Sequence, residues 1–277
     1  MTDQRPLLAG VIGFPITQSR SPRLFAHWFS RHAIPGYYVP LAAEPAAFEA
    51  VLSTLPQAGF RGLNVTAPHK TEALRLAETR SATAEAIGAA NTLVFSPDGG
   101  IHADNTDAYG FVENLRAGAP QWRPEAGPAV VLGAGGAARA IVHALDEAGV
   151  PEIRLLNRTQ DRAQALRDTL NAPITVASWT DREAALDGAA LLVNTTVLGM
   201  TGKAPLELRL DALPTTAVVN DIVYAPLETQ LLADARSHGA HCVDGLGMLL
   251  HQARPGFRLW FGTDPVVDAE LRAAALA

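Results

Sequence analysis

Short apolar runs alternate with helix-like stretches along most of this chain of 277 residues. The strand-like runs are bounded by polar turns, and the helical stretches repeat apolar residues every three or four positions. Pro97-Asp98-Gly99-Gly100 separates two short runs and predicts a hairpin. In this first part the predicted strands are Leu7–Ile12, Arg61–Val65, Thr92–Phe95 and Ile101–Ala103, and the predicted helices are Pro22–Arg31, Glu44–Leu55, His69–Ala77, Ser81–Ile87 and Asp107–Ala117.

A break rich in proline and glycine, residues 118–128, precedes a more regular alternation. Strands separated mostly by helical stretches predict an α/β fold with a parallel, doubly wound sheet. The predicted strands are Ala129–Leu132, Ile153–Leu156, Ile174–Ala177, Leu191–Asn194, Ala217–Asp221 and a short His241–Val243. Two helical stretches, Gly245–Phe261 and Asp268–Ala275, end the chain, and periodicity alone leaves open which domain they join.

The segment from Val130 to Ala138 is an apolar run, a glycine loop and a helix start. Gly133 allows a tight turn, Gly135 allows backbone to approach a phosphate, and Ala138 lets the helix pack close to the strand, which matches G-x-G-x-x-A. The free N–H groups of the helix N-terminus suit an anion. This segment predicts a dinucleotide site, with a loop that only packs strand on helix as the alternative.

The next predicted strand ends at Asn157-Arg158-Thr159, and Arg162 lies one turn further on. An acidic residue at this position would favour a free ribose 2′-hydroxyl, whereas arginines pair with the oxygens of a 2′-phosphate. We therefore expect NADP rather than NAD. Two solvated surface arginines remain the alternative.

Composition narrows the class of protein. Hydrophobic residues make up 48% and charged residues 18% of the chain, so a large core is available, and the length suggests about two domains. The net charge of -6 argues against general nucleic-acid binding. Cys242 is the one cysteine, which excludes a disulfide framework and a multi-cysteine metal site. The chain starts without a signal-peptide pattern and has no run long enough to cross a bilayer, so we expect a soluble cytoplasmic protein without a metal.

Polar clusters follow several of the predicted strands. Ser19 and Ser21 precede a helix that has Pro22 at its start, so they suit a substrate carboxylate, with Ser21 as an N-cap the alternative. Lys70 is the cation at another strand end, where parallel sheets collect ligands, unless it is a solvated lysine. Further candidates for binding, each also explicable as a turn residue, a helix cap or a solvated side chain, are Asn91, Asp107, Tyr224 and Gln252.

Nine stretches between residues 13 and 252 resemble, in content, order and spacing, the shikimate dehydrogenase family. They are G-F-P-I-T-Q-S-R-S-P, N-V-T-A-P-H-K, G-A-A-N-T-L, D-N-T-D-A-Y-G, G-A-G-G-A-A, N-R-T, N-T-T-V-L-G-M, D-I-V-Y-A-P and D-G-L-G-M-L-L-H-Q. The resemblance covers nearly the whole chain.

The resemblance implies two domains around a cleft. Residues 1–106 and 246–277 would form an α/β substrate-binding domain, to which the last helices return, and residues 107–245 a Rossmann-like NADP-binding domain. The implied reaction is the reversible reduction of 3-dehydroshikimate to shikimate by NADPH, within chorismate and aromatic amino acid biosynthesis. Lys70 and Asp107 would be the catalytic pair, since the alkoxide left by hydride delivery needs a proton and a nearby positive charge.

The resemblance also assigns the remaining contacts. Substrate would be bound by Ser19, Ser21, Asn64, Thr66, Lys70, Asn91, Asp107, Tyr224 and Gln252. The cofactor would be bound by Gly133, Ala134, Gly135, Gly136, Ala137, Asn157, Arg158, Thr159, Arg162, Thr195, Ile222 and Gly245. The chain departs from the family's common pattern at Gln18, Phe25-Ala26, Ala82 and Ile222.

Three alternatives stay open at this point. The first is a quinate/shikimate dehydrogenase with broader substrate or NAD use, which the arginines near the ribose position oppose. The second is a noncatalytic NADP-binding regulator, which the presence of both Lys70 and Asp107 opposes. The third is a methylenetetrahydrofolate dehydrogenase of related architecture, which the double-serine motif and D-N-T-D-A-Y-G oppose. A small-molecule partner is expected, with no nucleic acid and no membrane, and the oligomer is left as monomer or homodimer.

Overall fold

The structure is a computed structural model that describes residues 6–277 and divides into two compact units. The first unit runs to Thr106 and includes Leu249–Ala277, and the second is Asp107–Met248. The second unit therefore lies within the sequence of the first.

A mixed six-stranded sheet forms the centre of the first unit. Its elements up to Thr106 are β1 (Leu7–Gly13), α1 (Ser21–Arg31), β2 (Gly36–Ala42), α2 (Phe48–Thr54), β3 (Phe60–Val65), α3 (Lys70–Leu76), β4 (Thr79–Arg80), α4 (Ala82–Ile87), β5 (Thr92–Phe95) and β6 (Ile101–Asp104). The strand order is β2-β1-β3-β5-β6-β4. β1 pairs in parallel with β2 and β3, and β5 pairs antiparallel with β3 and β6.

The second unit has six parallel strands. Its elements are α5 (Asp107–Gly118), β7 (Ala129–Leu132), α6 (Gly136–Glu147), β8 (Ile153–Leu156), α7 (Gln160–Thr169), β9 (Ile174–Ala177), β10 (Leu191–Asn194), β11 (Val218–Asp221), α8 (Gln230–His238) and β12 (His241–Val243). The chain ends with α9 (Leu246–Phe261) and α10 (Ala269–Leu276). The central strands β7, β10 and β11 are fully buried because both faces of a parallel sheet are covered, whereas the edge strands β9 and β12 are partly exposed.

Strand order explains where a ligand fits in the second unit. The order is β12-β11-β10-β7-β8-β9, so β7 and β10 are neighbours from which the chain winds away in opposite directions. Ligands of such sheets bind beyond the carboxyl ends of the strands at this reversal. The predicted α/β fold with a Rossmann-like unit is confirmed.

The structure corrects several local predictions. The helix predicted at Glu44–Leu55 is shorter, because Pro45–Ala47 form a separate 3₁₀ turn before α2. The strand β2 is absent from the prediction, because Pro40 interrupts its alternation, and proline in a strand is tolerated at a sheet edge such as this one. The two-residue β4 is also absent from the prediction, because it is too short to show a period. Arg20 rather than Ser21 occupies the N-cap of α1, so the capping alternative for Ser21 is wrong.

Within residues 6–277, none of the helices combines the length and the apolar character that crossing a membrane requires.

Candidate functional site

The serine-containing loop leaves the carboxyl end of β1 in the first unit. The Ser21 backbone N–H donates to Ser19 Oγ at 3.4 Å, so the two hydroxyls share one tight turn at the start of α1. Ser21 is buried and Ser19 partly so. Gly13 begins the loop against Thr66, because a Cβ at Gly13 would lie 2.3 Å from Thr66 Cγ2. The two predicted serines and Thr66 thus belong to adjoining strand ends.

A connected set of buried amides and hydroxyls lies beside this loop in the same unit. Asn64 Nδ2 donates to the carbonyl of Asn91 and to Thr92 Oγ1, each at 3.2 Å. Asn91 Nδ2 donates to Thr106 Oγ1 and to Gln252 Oε1, each at 3.1 Å. The set contains three of the predicted substrate-binding residues, Asn64, Asn91 and Gln252. Each side chain is oriented by its neighbours, which suits the reading of ligand hydroxyls.

Thr106 and Gln252, both in the first unit, are also hydrogen-bonded to each other within this set. Thr106 N–H donates to Asn91 Oδ1 at 2.8 Å, and Thr106 Oγ1 donates to the carbonyl of Gln252 at 2.8 Å. Asp107 follows directly as the first residue of α5 and is buried.

Lys70 is the first residue of α3, and His69 before it fixes the start of that helix. The His69 ring is buried, stacks on Phe48 with centroids 4.3 Å apart, and bonds through Nε2 to the carbonyl of Ala43 at 2.8 Å. The Lys70 carbonyl accepts from Ala90 N–H at 2.8 Å, which fixes the backbone of Lys70 beside the segment that carries Asn91. Its side chain is partly exposed.

In the second unit the glycine loop follows β7. Gly133 has φ +109°, and a Cβ there would lie 2.5 Å from Thr195 Oγ1. Thr195 is held by two bonds to the carbonyl of Leu132, from Oγ1 at 2.7 Å and from N–H at 2.8 Å. Only glycine fits at Gly133, because backbone conformation and space both exclude a side chain. Gly133 and Thr195, both predicted to bind the cofactor, therefore lie side by side.

The start of α6 has room for an anion. Gly135 is its N-cap, no side chain caps the helix, and a Cβ at Gly135 would meet nothing within 4 Å. Gly135 and Gly136 are exposed, and Ala134 and Ala137 partly so. Uncapped N–H groups beside open space are what a pyrophosphate requires, so this loop fits the dinucleotide that the sequence predicts.

The arginines predicted for the 2′-phosphate follow β8. Asn157 Nδ2 donates to the carbonyl of Thr159 at 2.8 Å and shapes the turn. Arg158, Thr159 and Arg162 are exposed. Within residues 6–277 the guanidinium groups of Arg158 and Arg162 form no hydrogen bond or ion pair. They are therefore available to an anion, unlike Arg154 within β8, which forms an ion pair with Glu152.

Ile222 follows β11 and Gly245 follows β12, and the two residues adjoin each other. A Cβ at Gly245 would lie 2.3 Å from the carbonyl carbon of Ile222, so the two backbones are in close contact. Tyr224, predicted to bind substrate, lies two residues on from Ile222 and is partly exposed. The predicted cofactor residues of this unit thus follow the carboxyl ends of β7, β8, β10, β11 and β12.

Asp221 ties these loops together, and sequence reasoning does not single it out. Its Oδ1 accepts from Asn194 Nδ2 and from Val223 N–H, both at 3.0 Å, and its Oδ2 accepts from Thr229 Oγ1 at 2.7 Å. Burial raises the pKa of Asp221 to about 6, while the donated bonds oppose that rise. A carboxylate at the last position of a buried strand is the only sequence signal for this role.

Tyr38 is a second residue that sequence reasoning misses. It lies on β2, and its hydroxyl donates to Asn64 Oδ1 at 2.7 Å.

Within the described residues no group of three or more His, Cys, Asp or Glu side chains is arranged to hold a metal ion.

Comparison with protein-family models gives three matches along the chain. Residues 11–93 match the substrate-binding domain of shikimate dehydrogenase, residues 124–198 match shikimate/quinate 5-dehydrogenase, and residues 245–271 match the C-terminal domain of shikimate 5′-dehydrogenase. The first and third fall in or mainly in the first unit, and the second lies in the second unit.

Individual relatives match over nearly the full length. A shikimate dehydrogenase (NADP⁺) of Paramagnetospirillum magneticum is 57% identical over 270 residues, 98% of each chain. The crystal structure of shikimate 5-dehydrogenase from Thermus thermophilus in complex with NADP(H) and shikimate has a TM-score of 0.87 at 36% identity, covering 98% of each chain. Quinate dehydrogenase from Corynebacterium glutamicum in complex with NAD has a TM-score of 0.90 at 31% identity, covering 98% of this chain and 99% of that one.

Proposed function

The chain belongs to the shikimate dehydrogenase family, and on that premise we propose that it reduces 3-dehydroshikimate to shikimate with NADPH, reversibly, on the route to chorismate and the aromatic amino acids. The observation that carries the proposal is the buried, hydrogen-bonded set of Asn64, Asn91 and Gln252, which lies beside the backbone of Lys70 at the start of α3. Three mutually oriented amides at one place match a small ring with several hydroxyls. We further propose that the protein acts in the cytoplasm, as a monomer or homodimer.

Substrate recognition follows from the polar groups of the first unit. Ser19 and Ser21, in one turn, supply hydroxyl donors for the ring carboxylate, and Tyr224 is a further donor. Thr66, Asn64, Asn91 and Gln252 read the ring hydroxyls. A site built to pair hydroxyls leaves buried polar groups unsatisfied with a ligand that lacks them, and rejects it by ~10⁴-fold or more.

Proton transfer is assigned to Lys70 and Asp107. When bound, the nicotinamide of NADPH supplies the hydride, or accepts it in the reverse direction. Reduction of the ketone leaves an alkoxide on the substrate. The Lys70 ammonium stabilises that charge and donates a proton to the oxygen, and the neutral amine takes the proton back in the reverse direction. Asp107 orients Lys70 and hydrogen-bonds a ring hydroxyl. Positioned proton transfer of this kind contributes ~10²–10⁴-fold in rate.

Cofactor choice is assigned to the second unit. Gly133–Ala137 would hold the pyrophosphate at the uncapped start of α6, and Arg158 and Arg162 the 2′-phosphate, with Asn157 and Thr159 beside them. Thr195, Ile222 and Gly245 would line the nicotinamide end. A guanidinium group pairs with two phosphate oxygens at once, and NAD has no 2′-phosphate at this position to accept that pair of bonds.

The test compares Lys70→Ala with Lys203→Ala, which removes the chain's other, exposed lysine. We expect the wild-type protein and the Lys203 variant to oxidise NADPH in the presence of 3-dehydroshikimate. We expect kcat of Lys70→Ala to fall by about 10²-fold or more, with NADPH binding retained. Unchanged turnover would remove Lys70 from the chemistry. A wild-type protein that binds NADPH without turnover would instead indicate a regulator.

A further inference from the structure

Tyr38 occupies a fixed position in the first unit. It lies in the edge strand β2 with its side chain turned inward and 7% exposed, whereas the neighbouring Tyr37 is 61% exposed. The Tyr38 ring stacks on Phe25, with centroids 3.8 Å apart and planes 13° from parallel. Phe25 is fully buried among other aromatic rings. The stacked contact with Phe25 restricts the Tyr38 ring, so the direction of its hydroxyl is set by packing.

The Tyr38 hydroxyl lies between two residues assigned to substrate. It donates to Asn64 Oδ1 at 2.7 Å, because an amide oxygen only accepts. The Ser21 hydroxyl faces the same phenol oxygen and opposes the rise in the pKa of Tyr38 that burial causes. Since the phenol hydrogen is committed to Asn64, Ser21 is the donor in that contact. A bound carboxylate would compete with the phenol oxygen for the Ser21 hydrogen.

The bond from Tyr38 determines what Asn64 offers a ligand. Both Nδ2 hydrogens of Asn64 are used, on the carbonyl of Asn91 and on Thr92 Oγ1. An amide oxygen has two lone pairs, and Tyr38 takes one. The capacity left to Asn64 is therefore a single acceptor position, which accepts a hydrogen from a ligand hydroxyl and repels an ether or carbonyl oxygen.

We propose that Tyr38 is a positioning residue for substrate, which acts through Asn64 to fix an acceptor for one ring hydroxyl. The inference rests on the proposed function, because it takes the ligand to be a hydroxylated ring carboxylate. In this role Tyr38 would act without itself contacting substrate or cofactor. Its effect is transmitted by one hydrogen bond from a ring held by Phe25.

The test is Tyr38→Phe, which removes the hydroxyl and keeps the stacked ring, with Tyr37→Phe as the matched control. Loss of one neutral hydrogen bond corresponds to about a fivefold effect. We expect KM for shikimate to rise about fivefold in Tyr38→Phe, with KM for NADP⁺ and the melting temperature near wild type. Tyr37→Phe should match wild type throughout.

A double-variant cycle separates positioning from a structural role. If Tyr38 acts through Asn64, Tyr38→Phe raises KM little further in an Asn64→Ala background. The inference would be overturned if the fold-increases in KM of Tyr38→Phe and Asn64→Ala multiplied in the double variant, or if KM were unchanged in Tyr38→Phe alone. Phe25→Leu is a second perturbation that keeps the hydroxyl but removes the stacked ring, and it should raise the same KM selectively. A wild-type protein inactive on shikimate would contradict the proposed function, whereas an active wild type with an indifferent Tyr38→Phe contradicts only this inference.

Discussion

Asp221→Asn tests how a buried carboxylate holds the loops of the second unit. Asp221 is completely buried and accepts three hydrogen bonds, from Asn194, Val223 and Thr229. An asparagine oxygen can keep the first two bonds, and its amide can donate to Thr229 Oγ1. The substitution therefore removes the ionisable group while nearly preserving the shape.

The magnitude follows from the pKa of Asp221, which burial raises from 3.8 to about 6. The folded state thus favours the neutral acid. Below pH 3.8 Asp221 is protonated in both the folded and the unfolded protein, so the stability that comes from its preference for the neutral form is fully present. As the pH rises towards 6 the unfolded chain ionises first, so stability is lost over that window. About two pH units at about 1.4 kcal/mol each correspond to about 3 kcal/mol, of which roughly 2 kcal/mol falls between about pH 4.5 and 7.5.

The assay is the free energy of unfolding in urea for both proteins at about pH 4.5 and 7.5. Other groups titrate in both proteins, so the informative quantity is the wild-type value minus the Asp221→Asn value. We expect that difference to fall by about 2 kcal/mol from the lower to the higher pH. Parallel pH profiles for the two proteins would refute the assignment of an elevated pKa to Asp221.

Four further predictions concern the binding of cofactor and substrate. Gly133→Ala should lower the melting temperature and raise KM for NADPH, because φ +109° and the Thr195 hydroxyl at 2.5 Å exclude a Cβ. Gly135→Ala should raise KM for NADPH without lowering the melting temperature, since its Cβ meets only open space in the protein itself; an unchanged KM for NADPH would contradict the assigned pyrophosphate position. Arg158→Ala should raise KM for NADPH by about tenfold or more while leaving KM for NADH nearly unchanged, and equal effects would remove the 2′-phosphate role. Ser19→Ala should weaken shikimate binding several-fold, whereas an unchanged KM would leave Ser19 only its turn bond to Ser21.

The second sheet is well predicted from sequence because its central strands, such as β7 and β10, are buried apolar runs that are followed by polar turns. The predicted bounds of Ile153–Leu156 and Leu191–Asn194 are those of β8 and β10. The glycine loop is equally well predicted from sequence. Gly133 is required by its positive φ and by the close approach of Thr195, which follows the neighbouring strand β10.

The first sheet shows where local pattern fails. β2 contains Pro40 at a sheet edge, so its alternation is broken and the strand is not apparent from the sequence. Tyr38 lies on that strand and meets Asn64, 26 residues away, through tertiary packing. The ties from Asp221 to Asn194 and Thr229 likewise join separate motifs. Motif resemblance supplies candidate ligand contacts, whereas the residues that orient those contacts emerge only from the folded chain.

The central claim is that this chain transfers hydride between shikimate and NADP⁺. The most direct measurement is the initial rate of the purified protein with shikimate or quinate, each with NADP⁺ or NAD⁺. We predict rapid reduction of NADP⁺ with shikimate and a kcat/KM lower by orders of magnitude for the other three combinations. Equal use of quinate, or a preference for NAD⁺ over NADP⁺, would contradict the account.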